Sequence, residues 1–176
     1  MTDILPGPTV ALYDPARHDR QGFSCGEPSL DAYLQTQATQ DIKRRAAVLY
    51  VLADEGGSIR GYYTLSACSV RLTGIVATTQ KKLARYPDVA GALIGRLAVD
   101  TRDKGTGLGA KLLRHALQRC LEQSRELAMA VVVVDALNDA AQRFYERYGF
   151  QPLGGEGNRL YLPLATLQQA EAAGST

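Results

Sequence analysis

The stretch TRDKGTGLGAK, residues 101–111, places three glycines at alternate positions between an apolar run and an amphipathic helix pattern. Gly105, Gly107 and Gly109 each cost about 0.5–1 kcal/mol relative to alanine in ordered backbone, so their placement needs an offsetting reason. Glycine lets backbone N–H groups approach an anion closely, and a helix that begins there adds unpaired amides and the positive end of its dipole. The stretch therefore predicts a strand, a phosphate-binding loop and a helix in that order. The alternative is a tight connection in which the glycines serve only the turn.

Two better-known glycine-rich phosphate loops do not fit this stretch. A P-loop has a lysine and then serine or threonine directly after its last glycine, whereas Lys111 is offset and is followed by leucine. A dinucleotide fingerprint needs G-x-G-x-x-G near the start of a parallel sheet, whereas the spacing here is G-x-G-x-G in mid-chain. Phosphate binding by this stretch is therefore predicted only from the unpaired amides and the positive dipole end of a helix N-terminus.

Hydrophobic periodicity along the rest of the chain predicts alternating strands and helices, which is typical of the α/β (α+β) class. Strands are predicted at 8–13, 47–54, 59–70, 91–100, 128–136 and 159–164, and helices at 30–45, 108–121 and 140–148. The turn at 55–58 makes the second and third strands an antiparallel hairpin. Ser29 is the predicted N-cap of the first helix. The segment 72–90 fits either a short helix or a loop. The length suits one core, so we expect a single domain over 1–170 and a tail at 171–176.

Composition narrows the class of function. A formal net charge of +2 is too small to indicate nucleic-acid binding by itself, so that interpretation must rest on local clusters. Three widely spaced cysteines, Cys25, Cys68 and Cys120, and two histidines argue against a disulfide framework and against a metal site. No apolar run reaches the roughly 18 residues that cross a bilayer, and the first residues lack a signal-peptide pattern. We therefore expect a cytoplasmic protein that binds neither metal nor membrane.

The order of these motifs, from about residue 48 to residue 164, resembles the GCN5-related N-acetyltransferase (GNAT) family. The family's pyrophosphate loop reads Q/R-x-x-G-x-G/A, which Lys104 through Gly109 match except at the first position. A second register, which begins at Arg102, satisfies the formula but leaves Gly109 unexplained. The sequence VVVVDALNDAAQRFYERYGF, residues 131–150, is similar to the family's fifth strand, A-x-N turn and F-Y-x-x-x-G-F helix.

This resemblance implies a fold, a cofactor and a set of contacts. The implied fold is a mixed, mostly antiparallel sheet of about six to seven strands, flanked by helices, with a splayed central strand pair that holds acetyl-coenzyme A. The family's backbone at the positions of Leu97 and Val99 pairs with the pantetheine arm. The residues implied to contact the cofactor are Leu97, Ala98, Val99, Lys104, Gly105, Thr106, Gly107, Leu108, Gly109, Ala110, Asn138 and Tyr145.

A closer resemblance is to the acetyltransferase toxins of bacterial toxin–antitoxin pairs. The segment FSCGEPSLDAYLQTQATQD, residues 23–41, is similar to their F-x-C-G-x-x-x-L-x-x-Y-L start, and GRLAVD at 95–100 is similar to their core signature. This resemblance implies acetylation of the α-amine of aminoacyl-tRNA, which stops translation. It also implies a small DNA-binding antitoxin as partner and a homodimer.

The chemistry of acetyl transfer points to the same acceptor. Transfer needs a neutral amine and a proton for the departing thiolate. Many relatives place a glutamate base where this chain has Arg96, which cannot take a proton. An α-amine has a pKa of about 7.7–8.0 and an adjacent ester lowers it further, whereas a lysine near 10.4 stays protonated. The presence of Arg96 in place of the glutamate base therefore favours aminoacyl-tRNA over lysine as the acceptor.

Two more residues take their roles from the family match. Tyr145 matches the tyrosine that donates a proton to the thiolate, and its alternative role is a core aromatic beside Phe144. Asn138 matches a residue that contacts coenzyme A, and its alternative role is a plain helix cap.

Basic clusters are the candidates for holding RNA through its phosphates. The predicted RNA-binding residues are Arg96, Lys43, Arg44, Arg45, Lys81, Lys82 and Arg85. An ordinary solvated surface is the alternative for each cluster. Two other functions stay open: an acetyltransferase for a small amine or a protein N-terminus, and a non-catalytic module that binds acetyl-coenzyme A.

Overall fold

The computed structural model describes residues 8–83, 85–155 and 157–174. Its strands are β1 Val10–Leu12, β2 Val48–Ala53, β3 Ile59–Arg71, β4 Asp88–Val99, β5 Val131–Asp135, β6 Gln151–Pro152 and β7 Arg159–Pro163. Its helices are α1 Pro28–Ala32, α2 Ala38–Lys43, α3 Ala77–Gln80, α4 Leu108–Gln123, α5 Asp139–Glu146 and α6 Leu164–Gly174. Within the described residues these strands form one seven-stranded sheet in the order β1-β2-β3-β4-β5-β7-β6. Because its neighbours are mostly antiparallel, with β4 and β5 parallel, the predicted fold class is confirmed.

The chain packs as two compact units. The first unit joins the described residues up to Leu65 with Arg96–His115, and the second joins Ser66–Gly95 with the described residues from Ala116 onward. In the first unit, β2 and β3 form the predicted antiparallel hairpin, with one register from Val48–Leu65 to Leu52–Gly61 and a shift before Ala53–Ile59. The buried core of this unit consists of Phe23, Cys25, Tyr33, Leu34, Ala38, Leu49, Val51, Ile59, Tyr62 and Ala98.

Helix α1 begins two residues earlier than an N-cap at Ser29 requires, so that predicted N-cap is wrong. Helix α1 starts at Pro28 and is preceded by Glu27, because proline at the first helical position loses no hydrogen bond and has a suitable φ. A π-helical turn, Tyr33–Gln37, connects α1 to α2. Of the apolar residues at helical spacing in this region, Tyr33, Leu34 and Ala38 are buried, whereas Ile42 is 37% exposed.

The second unit is built around β5. All four valines of Val131–Val134 are fully buried, which confirms the predicted strand with no solvent-facing side. The parallel register joins Gly91 to Val131 and runs as far as Ile94 and Val134, while β7 pairs with the other edge of β5. The second core cluster consists of Val70, Ile75, Val89, Val131, Val133, Leu153 and Tyr161.

Several elements differ from their predicted extents. Strand β4 begins at Asp88, three residues before the predicted start at 91. Helix α6 was not predicted, because only Leu164 of its residues is buried and its sequence has little amphipathic pattern. Residues 171–174, which the sequence analysis assigns to a tail, continue α6, and 175 and 176 lie outside the described residues. None of the helices in the described ranges combines the length and the apolar character that a bilayer span requires.

Candidate functional site

The glycine loop leads directly into α4 in the first unit. Gly105 and Gly107 have φ values of 77° and 86°, and a Cβ atom at either position would meet nothing within 4 Å. Glycine is therefore needed for the left-handed backbone and not for space. The amide of Lys111 donates to the carbonyl of Gly107, at 3.1 Å, and this closes the first turn of α4. The four amides of residues 107–110 consequently have no acceptor within the helix and are available to an anion.

Two aspartates of the first unit fix the start of this loop. Asp100 is 1% exposed, and its carboxylate accepts hydrogen bonds from the amide of Ser24 (3.2 Å) and the amide of Arg102 (3.0 Å). The Arg102 guanidinium adds a two-pronged ion pair to the same carboxylate, at 2.8 and 3.0 Å. Asp103 accepts a hydrogen bond from Arg60 Nε at 2.6 Å. The start of the loop is therefore held to the backbone of Ser24 and to the side chain of Arg60.

These contacts change the acidity of Asp100. Hydrogen bonds from the Arg102 side chain, and then from the amides of Arg102 and Ser24, lower the pKa of the Asp100 carboxyl from 3.8 to about 2, against the opposing effect of burial. The carboxylate therefore remains charged throughout the physiological range.

Lys104 occupies the first position of the loop motif. Its Nζ lies 3.3 Å from the position that a Cβ would take at Gly26, so the side chain extends towards the Cys25–Gly26 segment. No atom of Lys104 comes within 4 Å of a Cβ position at Gly107. The predicted cofactor contact of Lys104 stays a prediction.

At the end of β4, the backbone N–H and C=O groups of successive residues point alternately towards β3 and away from it. The amide of Asp100 donates to the carbonyl of Arg60 at 2.8 Å, and the Ala98 carbonyl lies 3.3 Å from a Cβ position at Gly61, so both residues face β3. Because successive residues of a strand point their backbone groups to opposite edges, those of Leu97 and Val99 point away from β3. This is the orientation that pairing with an extended ligand arm requires.

Arg96 lies on β4 with its guanidinium stacked on an aromatic ring. The central guanidinium carbon is 3.6 Å from the centroid of the Tyr33 ring, a cation–π geometry. The Tyr33 hydroxyl donates to Asp41 Oδ2 at 3.0 Å. Burial and the Asp41 hydrogen bond raise the pKa of Tyr33 to about 12. Among the described residues no carboxylate forms an ion pair with Arg96, so its N–H groups remain available to a substrate.

Tyr145, on α5 of the second unit, is at once a core aromatic and a candidate proton donor. Its side chain is 4% exposed, and its ring packs edge-on against Phe144 and Phe150, with centroids 5.3 and 5.6 Å away. Among the described residues, the Tyr145 hydroxyl has no hydrogen-bond partner. Every side-chain polar atom that is fully buried in these residues does have a partner. The hydroxyl therefore reaches solvent. Burial raises the pKa of Tyr145, and the negative charge of Asp135 raises it further.

Asn138 caps α5. Its Oδ1 accepts a hydrogen bond from the amide of Ala141 at 2.9 Å, so the alternative reading as a helix cap is observed directly. The side-chain Nδ2 is not used by the cap and can still donate to a ligand. The predicted contact with coenzyme A stays a prediction.

The predicted RNA-binding cations divide between the two units. Lys43, Arg44 and Arg45 lie at the end of α2 in the first unit, which also contains Arg96, and they are exposed. Arg45 has φ 57°, a left-handed conformation that a non-glycine residue rarely adopts. Lys81, Lys82 and Arg85 are exposed in the second unit. None of these six side chains has an ion pair with a carboxylate in the part of the chain that the structure describes.

Several site residues were missed at the sequence level. Asp100 and Asp103 flank the loop motif, and their acidic side chains beside a predicted anion site could have marked them as loop anchors. Tyr33 appeared only as an apolar helix position, and its stacking on Arg96 has no local sequence signal. In the described ranges no cluster of three or more His, Cys, Asp or Glu side chains could hold a metal ion.

Comparison with protein families and curated relatives gives consistent matches. A model of the acetyltransferase (GNAT) family matches residues 13–150. A probable toxin TacT of Sinorhizobium fredii is 30% identical over 163 residues, which cover 88% of this chain and 90% of the relative. A tRNA-acetylating toxin of Mycobacterium tuberculosis is 34% identical over 134 residues, 76% of this chain and 78% of that protein.

Solved structures agree with the fold. AtaT complexed with acetyl-methionyl-tRNAfMet is 30% identical with a TM-score of 0.86, over 93% of this chain and 98% of that chain. A tyrosine-to-phenylalanine mutant of the AtaT toxin, bound to the C-terminus of the antitoxin AtaR and to acetyl-CoA, is 27% identical with a TM-score of 0.80. That match covers 94% of this chain and 99% of the AtaT chain.

Proposed function

The chain belongs to the acetyltransferase (GNAT) family, and from that premise we propose that it acetylates the α-amine of aminoacyl-tRNA with acetyl-coenzyme A, as a toxin that blocks translation. The observation that carries the proposal is Arg96. Where many relatives have a glutamate base, this chain has a guanidinium stacked on Tyr33 with no carboxylate partner among the described residues. A cation in that place cannot deprotonate an amine, but it can hold a phosphate or a carbonyl oxygen of the acceptor.

The glycine loop fits the pyrophosphate of acetyl-coenzyme A. The four amides at the start of α4, with Gly105 and Gly107 held in the left-handed conformation, form a cradle for phosphate oxygens. Leu97 and Val99 would pair with the pantetheine arm, since their backbone groups point away from β3. Bound there, the cofactor supplies an activated acetyl thioester. We propose that the remaining contacts come from Ala98, Lys104, Thr106, Leu108, Gly109, Ala110 and Asn138 Nδ2.

Tyr145 is proposed as the catalytic acid. Its buried ring fixes the position of the hydroxyl, and its raised pKa keeps that hydroxyl protonated at neutral pH. The phenol would give its proton from Oη to the departing thiolate and recover one from solvent. The amine would lose its own proton to water, because the ester beside it makes it a weak base.

Basic residues would position the RNA. Lys43, Arg44 and Arg45 in the first unit, and Lys81, Lys82 and Arg85 in the second, are exposed cations that suit phosphate contacts. Similarity to a tRNA-acetylating toxin over 76% of the chain supports RNA as the acceptor.

The proposal extends to the assembly and location of the protein. We propose a small DNA-binding antitoxin as partner, a homodimer as the active state and the cytoplasm, where tRNA is charged, as the location. The AtaT structure with the antitoxin AtaR supports the first of these. Co-purification with the protein encoded beside this chain tests the partner, and light scattering during size-exclusion chromatography tests the dimer.

Expression in bacteria tests the toxin function. We expect growth arrest on induction, together with N-acetyl-aminoacyl adenosine in nuclease digests of the cells' tRNA, measured by mass spectrometry. The same expression level of Tyr145→Phe is the matched control and should give weak arrest. Normal growth with unmodified tRNA at verified expression would contradict the function.

A second candidate function is acetylation of a small amine or a protein N-terminus, since the loop and Tyr145 serve any amine acceptor. Turnover of small amines or of N-terminal peptides in the absence of RNA would support it. A non-catalytic module that only binds acetyl-coenzyme A is a third candidate, for which Tyr145→Phe should change no measured activity.

A further inference from the structure

A buried tyrosine of the second unit is bonded to the segment that carries Lys81 and Lys82. Tyr161 of β7 is fully buried in the second core cluster. Its hydroxyl accepts a hydrogen bond from the amide of Val76 at 3.0 Å and donates to Gln151 Oε1 at 3.3 Å. A phenylalanine would fill the same space with no polar atom to desolvate, so the hydroxyl is present for these two contacts.

Val76 is the N-cap of α3. Its carbonyl accepts the hydrogen bonds from the amides of Thr79 and Gln80 that start the helix, at 2.9 and 3.0 Å. Lys81 follows α3 directly as its C-cap, and Lys82 is the next residue. The direction of these lysines therefore depends on where the backbone of Val76 is held.

Other contacts of this segment lie on both sides of α3, and within the segment Gln80 Nε2 donates to the carbonyl of Ile75 at 2.6 Å. The amide of Gly154 donates to the carbonyl of Gly74 at 2.9 Å, and Ile75 is buried in the core cluster around Tyr161. The side chains of Lys81, Lys82 and Arg85 are exposed, and Leu83 between them packs against the same core cluster. The Tyr161 bond is thus the last side-chain hydrogen bond from the core before Lys81 and Lys82.

We propose that Tyr161 is a positioning residue for the acceptor RNA: its hydroxyl fixes the start of α3 and so directs Lys81, Lys82 and Arg85 towards RNA phosphates. The inference rests on the proposed function. It assigns a role in RNA binding to a core residue that touches neither cofactor nor RNA. It predicts that Tyr161 affects RNA binding only while Lys81, Lys82 and Arg85 are present.

Two variants remove the same hydrogen bond from opposite ends. Tyr161→Phe deletes the acceptor. Val76→Pro deletes the donor and suits the backbone, because Val76 has φ −56° and the preceding Ile75 is extended. Each should raise the KM for charged tRNA by about three- to tenfold, the effect of one lost hydrogen bond, and leave kcat and the KM for acetyl-coenzyme A unchanged. Tyr86→Phe, at a 69% exposed tyrosine, is the matched control and should behave as wild type.

Salt dependence separates positioning from general damage. Each phosphate contact steepens the dependence of log KM on log salt concentration, so both variants should show a shallower slope than wild type. In a background of Lys81→Ala, Lys82→Ala and Arg85→Ala, adding Tyr161→Phe should change the KM no further.

Distinct results overturn the inference. Suppose that wild type acetylates charged tRNA and that both variants have the same KM for charged tRNA and the same salt slope as wild type. Tyr161 then does not position the cations. An equal rise in KM in the triple-alanine background would assign the effect to general destabilisation, which thermal unfolding of the variants would also register. If wild type acetylates no tRNA, the proposed function fails and this inference fails with it.

Discussion

At the scale of single residues, the observed core position of Tyr145 is compatible with the proposed acid role, although the two were alternatives at the sequence level. The ring is part of the core with Phe144 and Phe150, and the hydroxyl has no partner among the described residues. A rigid apolar ring with a wet polar tip is how tyrosine holds a proton donor in a fixed place. The core role therefore supports the proposed acid role.

Tyr145→Phe should lower kcat by about 10²- to 10⁴-fold, because that is the range supplied by a positioned general acid. Affinity for acetyl-coenzyme A, measured by isothermal titration, should change little, since the ring and its packing remain. Tyr148→Phe, at a 40% exposed position beside Phe144, is the control. An unchanged kcat in Tyr145→Phe would remove the residue from the reaction.

Asp100→Asn should weaken both the fold and the binding of acetyl-coenzyme A. The folded-state pKa of about 2 lies below the ordinary 3.8, so the ionised carboxylate contributes stability above about pH 4 that is lost as the pH falls towards 2. That contribution is about 1–2 kcal/mol, reduced by the exposure of its partner Arg102. Urea unfolding from pH 2 to 7 should show wild type and Asp100→Asn converging at acid pH. The Kd for acetyl-coenzyme A should rise several-fold at pH 7.

The exposed carboxylate of Asp88 provides the control for that experiment. Asp88→Asn should leave both the unfolding free energy and the Kd as in wild type. A constant difference between Asp100→Asn and wild type down to pH 2 would show that the carboxylate charge is not the source of the effect.

At the scale of elements, we propose that the loop and α4 act together as an anion site. The loop supplies left-handed glycines and the helix supplies unpaired amides, and the proposed site needs both. The glycine loop and the helix after it were predictable from the sequence because their signal is local. It consists of three glycines followed by an amphipathic stripe. Asp100 was missed because one of its partners, Ser24, lies 76 residues away. Tyr161 was missed for the same reason, since its contact with Val76 spans 85 residues.

Gly107→Ala should raise the Kd for acetyl-coenzyme A by about tenfold or more. Nothing would clash with the new methyl group, so the whole effect comes from a φ of 86°, which costs about 1–2 kcal/mol for alanine. Gly22→Ala is the control, since Gly22 also has open space around it and lacks a left-handed φ. Equal affinity of Gly107→Ala and Gly22→Ala would contradict a phosphate-binding role for the loop conformation.

The end of α2 offers a test of RNA binding that also stabilises the protein. Arg45 occupies a left-handed position where glycine is favoured, so Arg45→Gly should raise the free energy of unfolding by about 0.5–1 kcal/mol. It should also raise the KM for charged tRNA and make its salt dependence shallower by about one phosphate contact. Arg45→Lys should keep the charge and the KM. An Arg45→Gly protein that is more stable and binds RNA as tightly as wild type would make this cluster ordinary surface.

At the scale of the whole molecule, each unit carries its own part of the proposed chemistry. The first holds the glycine loop, the end of β4 and Arg96, and the second holds Tyr145 and Asn138. The family and its sheet were predictable from motifs spread along the chain, since both depend on the order of local patterns. Helix α6 was not, because its short buried face leaves almost no periodic signal.

The most direct test of the central claim is transfer of radiolabelled acetyl from acetyl-coenzyme A to purified tRNA. Charged and deacylated tRNA would be compared side by side, with wild type and Tyr145→Phe. We predict label in the charged tRNA alone, released as N-acetyl amino acid by mild alkaline cleavage of the ester, and strongly reduced in Tyr145→Phe. Absence of label from charged tRNA while the enzyme still binds acetyl-coenzyme A, or equal label in deacylated tRNA, would contradict acetylation of the aminoacyl α-amine.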